Sequence, residues 1–195
     1  MGKLIVEQIV SADGYAQDAQ GGIGFFTSAR ELNDADPGQL RMLASVGAIV
    51  LGRVTYAMFT DYWPTPAAKA EPVAGPINAL PKFVVSSTLR AAPWGADDAA
   101  ELLRGDGVAA VRALRTRITG DLIVWGSLTL SDALLRAGEV DLLRLRTVPV
   151  LLGAGRSFTP ADLGERRLEL VESQAHAGGH VTSAYRPARQ QSASA

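Results

Sequence analysis

Short apolar runs recur along the chain, each closed by glycine, serine or a polar turn, and most lead into a segment with apolar residues at helical spacing. Residues 3–10, 48–51, 83–86 and 122–125 are such runs. They are rich in Ile, Val and Leu at both odd and even positions, the pattern of strands covered on both faces. Asp36 followed by Pro37 has the form of an N-cap with proline at the first helical position, and turns Leu40, Leu43 and Ala44 inward. Residues 54–59 read as a short helix. Asp106 caps a helix carrying Val108, Val111 and Leu114 on one side. Residues 128–137 form another, stopped by Gly138. Residues 100–103 fit strand and helix equally.

Other stretches break this rhythm. Asp13-Gly14 marks a turn after the first run, and residues 16–26, with Gly21, Gly22 and Gly24, read as an exposed flexible loop. Residues 60–81 hold Pro64, Pro66, Pro72, Pro76 and Pro81 and read as a long loop with a turn of helix at 77–80; such loops are often functional. Residues 142–148 alternate Leu143, Leu145 and Thr147 with Arg144 and Arg146, which predicts a half-exposed strand near an edge. Residues 168–173 and 181–186 flank Gly178-Gly179 and read as a terminal hairpin. The succession predicts an α/β domain with a mostly parallel sheet and an antiparallel edge over residues 1–188, followed by a disordered tail over 189–195.

Composition narrows the function classes. The chain has 195 residues, enough for one sizeable core, and a net charge of -1, which offers no general attraction to nucleic acid or to an anionic membrane. Cysteine is absent, which excludes disulfides, thiolate metal sites and a thiol nucleophile. No apolar stretch is long enough to span a membrane. The first run contains Glu7 and Gln8 and is too short and polar for a signal segment, so a cytoplasmic protein is expected.

Two strand-to-helix junctions about seventy residues apart carry the chemistry. At Gly52-Arg53-Val54-Thr55, glycine permits close backbone approach, Arg53 offers a fork of donors to a phosphate, and Thr55 adds a hydroxyl. At Gly126-Ser127-Leu128-Thr129, a helix begins beside the end of a buried strand, where free N–H groups suit an anion and Ser127 or Thr129 suits a cap. Taken singly, the first is equally an ordinary turn with a surface arginine, and the second is a capped helix. Together they point to a dinucleotide. Ser86-Ser87-Thr88 with Arg90 suits a ribose or its 2′-phosphate, and is equally a polar loop. Asp13 is the first carboxylate after a buried strand, a candidate for contact with a substrate ring as well as a turn residue; Asp34, Asp36 and Asp61 are its rivals. His176 and His180 bracket the glycine pair and are placed in the hairpin turn, so no metal is expected. No Gly-x-Ser-x-Gly elbow is present to support hydrolase chemistry.

In combination these segments resemble the dihydrofolate reductase superfamily, and more closely the RibD C-terminal domain family. The likeness rests on Ser11-Ala12-Asp13-Gly14-Tyr15, on Val50-Leu51-Gly52-Arg53-Val54-Thr55-Tyr56, and on Tyr62-Trp63-Pro64. It continues through Leu80-Pro81-Lys82-Phe83-Val84-Val85-Ser86-Ser87-Thr88-Leu89 and Ile123-Val124-Trp125-Gly126-Ser127-Leu128-Thr129-Leu130, and closes on Val148-Pro149-Val150-Leu151-Leu152-Gly153-Ala154-Gly155-Arg156-Ser157-Phe158.

The resemblance implies a dihydrofolate reductase-like three-layer α/β/α fold with a C-terminal antiparallel hairpin. It implies an NADPH-dependent oxidoreductase that reduces a small heterocycle or a ribosylamino-pyrimidine of the riboflavin-pathway kind. Arg53, Ser86, Ser87 and Thr88 would then meet the 2′-phosphate end. Gly52, Val54 and Thr55 would meet the pyrophosphate from one side and Gly126, Ser127, Leu128 and Thr129 from the other, with Gly14 and Tyr15 near the nicotinamide. Asp13 becomes the polar contact at the reacting centre, Tyr15 and Trp63 pocket walls, and Arg156 a basic residue on the substrate side. The helix over residues 39–46 offers no inward acid of the kind dihydrofolate reductase uses, so dihydrofolate is not the expected substrate. The family also implies a homodimer, to which residues 142–148 would contribute. The competing reading is a non-catalytic nucleotide or small-molecule binding protein on the same fold.

Overall fold

Successive residues of a strand point to opposite faces, and in this chain both sets are apolar, so the central strands need cover on both sides. The computed structural model describes residues 2–27, 36–96 and 98–188; Asp34 and the tail over 189–195 lie outside the described residues. The elements in chain order are β1 (Leu4–Ser11), β2 (Tyr15–Asp18), α1 (Gly24–Thr27), α2 (Asp36–Leu43), β3 (Val46–Gly52) and α3 (Arg53–Thr60). Next come α4 (Ala74–Ala79), β4 (Lys82–Val85), β5 (Pro93–Trp94), β6 (Asp98–Ala99), β7 (Glu101–Leu103) and α5 (Gly107–Arg117). The rest are β8 (Asp121–Val124), α6 (Leu128–Arg136), β9 (Leu142–Val148), β10 (Gly155–Ser157), β11 (Leu168–Ala175) and β12 (Val181–Pro187).

Eight strands form one sheet in the order β11-β12-β9-β1-β8-β3-β4-β7. Pairing is parallel from β9 through β7, and β12 and β11 add an antiparallel hairpin. One face buries Leu4, Val6, Val50 and Val124 under Val111 and Leu114 of α5 and Leu130 and Leu134 of α6. The other buries Ile5, Ile49, Leu51 and Ile123 under Leu43 of α2, Tyr56 of α3 and Ile77 of α4. The alternation Leu4-Ile5-Val6 is therefore split between two cores. This is the dihydrofolate reductase-like three-layer α/β/α arrangement.

The chain lays down β1, β3, β4 and β7, then returns β8 to the gap between β1 and β3. A crevice beyond the carboxyl ends of parallel strands, where the winding reverses, is the usual ligand position in open α/β sheets.

Helix ends follow their sequence signals in part. Asp106 accepts from the Ala109 N–H at 2.8 Å and caps α5. Gly138 takes φ +68 just past α6, and its N–H donates to the Leu135 carbonyl. Ala44, expected inward, is exposed because α2 ends at Leu43; Gln39 is turned inward instead.

Three local expectations are corrected and one left open is decided. Residues 16–26 are not a bare loop: β2 pairs with β10, a partner far along the chain, and α1 follows. The proline-rich segment holds a turn of 3₁₀ helix at Pro66–Ala68 and the helix α4. Residues 101–103 settle as β7, at the end of the sheet beside β4. β9 is an interior strand between β1 and β12. Its arginines alternate because Arg144 faces a buried carboxylate and Arg146 lines a cavity. His176 and His180 sit in the β11–β12 turn with their rings stacked 4.2 Å apart. No helix among the described residues is long and apolar enough to cross a membrane.

Candidate functional site

β3 and β8 are neighbours, so the two glycine junctions adjoin. The Gly52 N–H donates to the Gly126 carbonyl at 2.9 Å. A Cβ on Gly52 would lie 2.8 Å from the Ser127 Cβ and backbone nitrogen, and one on Gly126 would lie 2.7 Å from Thr55 Oγ1. Gly126 also takes φ +105, a conformation suited to glycine. The Gly126–Ser127 peptide bond is cis.

Both helices starting here lack a side-chain cap: neither Gly52 before α3 nor Ser127 before α6 provides one. The expected capping by Ser127 does not form. In contrast, α5 starts at the same end of the sheet and is capped by Asp106. The uncapped N–H groups and the positive helix ends favour an anion between the junctions.

A cavity of about 740 Å³ opens beside them, within the usual range for small-molecule sites. Of the residues singled out from the sequence, Val54, Thr55, Trp63, Gly126, Ser127, Leu128, Thr129 and Arg156 line it. Val54, Met58 and Tyr62, spaced four apart, form the exposed apolar face of α3 and its continuation toward the cavity. Phe59 lies 6.0 Å from Trp63 and 5.7 Å from Trp125, ring centre to ring centre, and the three make an aromatic wall. Asn78 braces that wall, donating to the Trp63 carbonyl at 2.8 Å and accepting from Trp94 Nε1 at 2.8 Å.

The remaining nominated residues lie around this cavity rather than on it. Arg53 is exposed at the start of α3, and Ser87 and Thr88 are exposed beyond β4. Ser86 is buried, and its hydroxyl accepts from the N–H groups of Thr88 and Leu89, which shapes the turn. Arg104, not singled out beforehand, donates to the Ser86 carbonyl at 2.9 Å and also to the Leu89 carbonyl. Its signal was its place just after a strand whose identity was open.

Gly14 takes φ +87 and Tyr15 opens β2, where its N–H donates to Ser11 Oγ at 2.9 Å. Asp13 accepts from Ser11 Oγ at 2.6 Å and from the Leu152 and Gly153 N–H groups, clasping the loop after β9. The Ser11 hydroxyl and these N–H groups hold its carboxyl below the ordinary value of 3.8. Arg156 reaches the cavity while its Nη2 donates to Asp132 Oδ2 at 2.5 Å. Burial raises the pKa of Asp132, and the charges of Arg156 and Arg136 oppose that rise.

The carboxylate on the cavity wall at β1 is Glu7. Glu7 and Arg144 are register partners on β1 and β9, both almost fully buried, and Arg144 Nη1 donates to Glu7 Oε2. Gln39 Nε2 and Trp125 Nε1 donate to Glu7 Oε1 at 2.9 and 2.8 Å, and Gln39 Oε1 accepts from Arg144 Nη1 at 2.5 Å. The sequence carried a signal for this group: a glutamate in the middle of an otherwise buried strand needs partners.

Residues 2–182 match the family described as the RibD C-terminal domain. The chain belongs to that family. Solved RibD-like and dihydrofolate reductase structures share its fold. A protein of Shewanella sp. PV-4 assigned to riboflavin biosynthesis superposes with a TM-score of 0.77 at 23% identity, covering 96% of this chain and 99% of that one. A pyrimidine reductase-like protein of Corynebacterium diphtheriae gives 0.69 at 18%, covering 97% and 93%. Dihydrofolate reductase of Enterococcus faecalis, complexed with NADP(H), gives 0.63 at 16%, covering 95% and 96%. A comparison with curated proteins gave no match.

Two outcomes follow for this RibD C-terminal domain. Arg144→Met leaves Glu7 buried without its counter-charge and should lower stability by about 3–5 kcal/mol in urea denaturation, whereas Glu7→Gln combined with Arg144→Met should recover most of the loss. Asp13 titrates lower in the folded chain than its unfolded value of about 3.9, so its contribution is complete above that pH and disappears as pH falls through the folded value. The stability gap between wild type and Asp13→Asn should therefore be full at pH 7 and shrink as the pH falls below the unfolded value of about 3.9 in the same assay.

Proposed function

We propose that this protein is an NADPH-dependent reductase that delivers a hydride to a C=N or C=O bond of a small flat heterocycle or a ribosylamino-pyrimidine. Membership of the RibD C-terminal domain family supports a reductase of the riboflavin-pathway type. The observation that carries the reading is the contact of two uncapped helix starts, at Gly52 and Gly126, on the rim of an aromatic-walled cavity.

The residues present fit that cofactor. N–H groups at the starts of α3 and α6, with the hydroxyls of Thr55 and Ser127, would hold the pyrophosphate between them. Arg53, with Ser87 and Thr88, would read the 2′-phosphate at the exposed end. When bound, NADPH supplies the hydride equivalent. The chain's own part is placement and shelter. Phe59, Trp63 and Trp125 offer flat faces to a ring and reduce its contact with water. Arg156, partly neutralised by Asp132, also lines the cavity and offers donors there. Gly14, Tyr15 and Asp13 form the turn beside the nicotinamide end in this reading, with Asp13 securing that turn to the loop over 150–153.

The reading includes a homodimer, supported by the exposed end strand β11, where Leu168, Leu170 and Val171 stand in solvent. Light scattering should give twice the chain mass, and Leu170→Lys should return it to one; a monomeric wild type would remove this part of the reading.

The cofactor is tested by thermal shift. A hundredfold excess of NADPH over its dissociation constant should add about 2.7 kcal/mol of stability. NADH should do much less, and Arg53→Ala should erase the difference. Absence of a shift with either nucleotide would overturn the reductase reading in favour of a binding protein for another ligand.

A further inference from the structure

We propose that Arg104 is a positioning residue: it holds the turn over residues 86–89 in the shape that receives a 2′-phosphate, and through that turn it sets the preference for NADPH over NADH. The proposal rests on the NADPH reading above and adds to it a residue that acts without touching the phosphate.

Gly52, Val85 and Leu103 are register partners across β3, β4 and β7. The residues that follow them, Arg53, Ser86 and Arg104, therefore leave the sheet side by side at its carboxyl end, where the glycine junctions lie. Ser87 and Thr88 come next after Ser86 and are exposed, with an arginine beyond the strand on either side.

The turn that carries them is closed in an unusual way. In a hydrogen-bonded β-turn the N–H of the fourth residue donates to the carbonyl of the first. Here the Leu89 N–H donates to Ser86 Oγ at 3.1 Å, and the Thr88 N–H donates to the same oxygen at 3.2 Å. The Ser86 carbonyl is left to another donor, and Arg104 Nη1 supplies it at 2.9 Å. Arg104 Nη2 donates to the Leu89 carbonyl. Ser86 thus holds the N–H groups of the turn, while one planar guanidinium bridges its first and last carbonyls. A lysine, with a compact charge on a flexible stem, lacks that rigid fork.

The consequence is electrostatic. A carbonyl oxygen facing a phosphate repels it, whereas hydroxyls and a guanidinium attract it. With both carbonyls held on Arg104, the turn offers a dianion the hydroxyls of Ser87 and Thr88 beside Arg53. The nearby carboxylate, Asp106, is committed to the Ala109 N–H at the start of α5. Without Arg104 the two carbonyls lose their tether and the donors lose their common geometry. That loss of preorganisation falls on a ligand that carries the 2′-phosphate and spares one that does not.

The test is calorimetric titration of wild type, Arg104→Met and Arg104→Lys with adenosine 2′,5′-bisphosphate and with 5′-AMP. These probes differ only in the 2′-phosphate and involve no hydride transfer. Wild type should bind the bisphosphate about tenfold or more tighter than 5′-AMP, the size of one hydrogen bond to a charged group. Arg104→Met should bring the two affinities close together by weakening the bisphosphate alone. Arg104→Lys keeps the charge without the fork and should lose most of the preference as well. Arg104 is exposed, so both variants should melt at the wild-type temperature. An unchanged ratio in Arg104→Met, an equal loss of both probes, or full preference in Arg104→Lys would overturn the proposal and leave the NADPH reading in place. A wild type with no preference for the bisphosphate would overturn both.

Discussion

The close contact between the ends of β3 and β8 governs the architecture of the site. At Gly52 and Gly126 the two backbones approach until a single Cβ would intrude on Ser127 or Thr55. Because β8 sits between β1 and β3, this contact brings together the starts of α3 and α6, which cover opposite faces of the sheet. Neither helix spends a side chain on its first N–H groups, whereas α5, at the same end, does. The glycines are thus required by crowding, and the crowding creates the anion-favouring rim.

A second constraint acts on the strand beside it. Burying a carboxylate among Ile5 and Ile123 is unfavourable unless its charge and lone pairs are met. Arg144 meets the charge from the neighbouring strand, while Gln39 and Trp125 meet lone pairs from α2 and from the turn after β8. One side chain of β1 consequently ties three other segments to the cavity wall. The wall's shape is held by polar contacts where the adjoining layer is held by apolar packing.

Much of this was legible beforehand because it was local. The two-faced apolar runs, the Asp106 cap, the Gly138 stop and the hairpin around Gly178-Gly179 all depend on neighbouring residues. So did the two glycine junctions, although their contact could be inferred only through the family resemblance. What escaped depended on distant partners. The alternation of Arg144 and Arg146 looked solvent-facing because Glu7 lies 137 residues away. β2 looked like loop because its partner, β10, comes near the end of the chain. Gln39 drew notice only for the acid it is not, and its amide proves to reach the acid on β1.

The order in which strands enter the sheet bears on how the chain is made. β1 and β3 flank β8 and touch each other only through it. A growing chain therefore carries two unpaired inner edges until residues 121–124 leave the ribosome. Both edges are apolar on both faces, so the nascent domain is exposed to misassociation for roughly the first two-thirds of its synthesis. Late insertion of a central parallel strand also raises the sequence separation of its contacts, which slows folding relative to a meander of the same size. The strand that completes the binding crevice is thus also the one that closes the gap between β1 and β3.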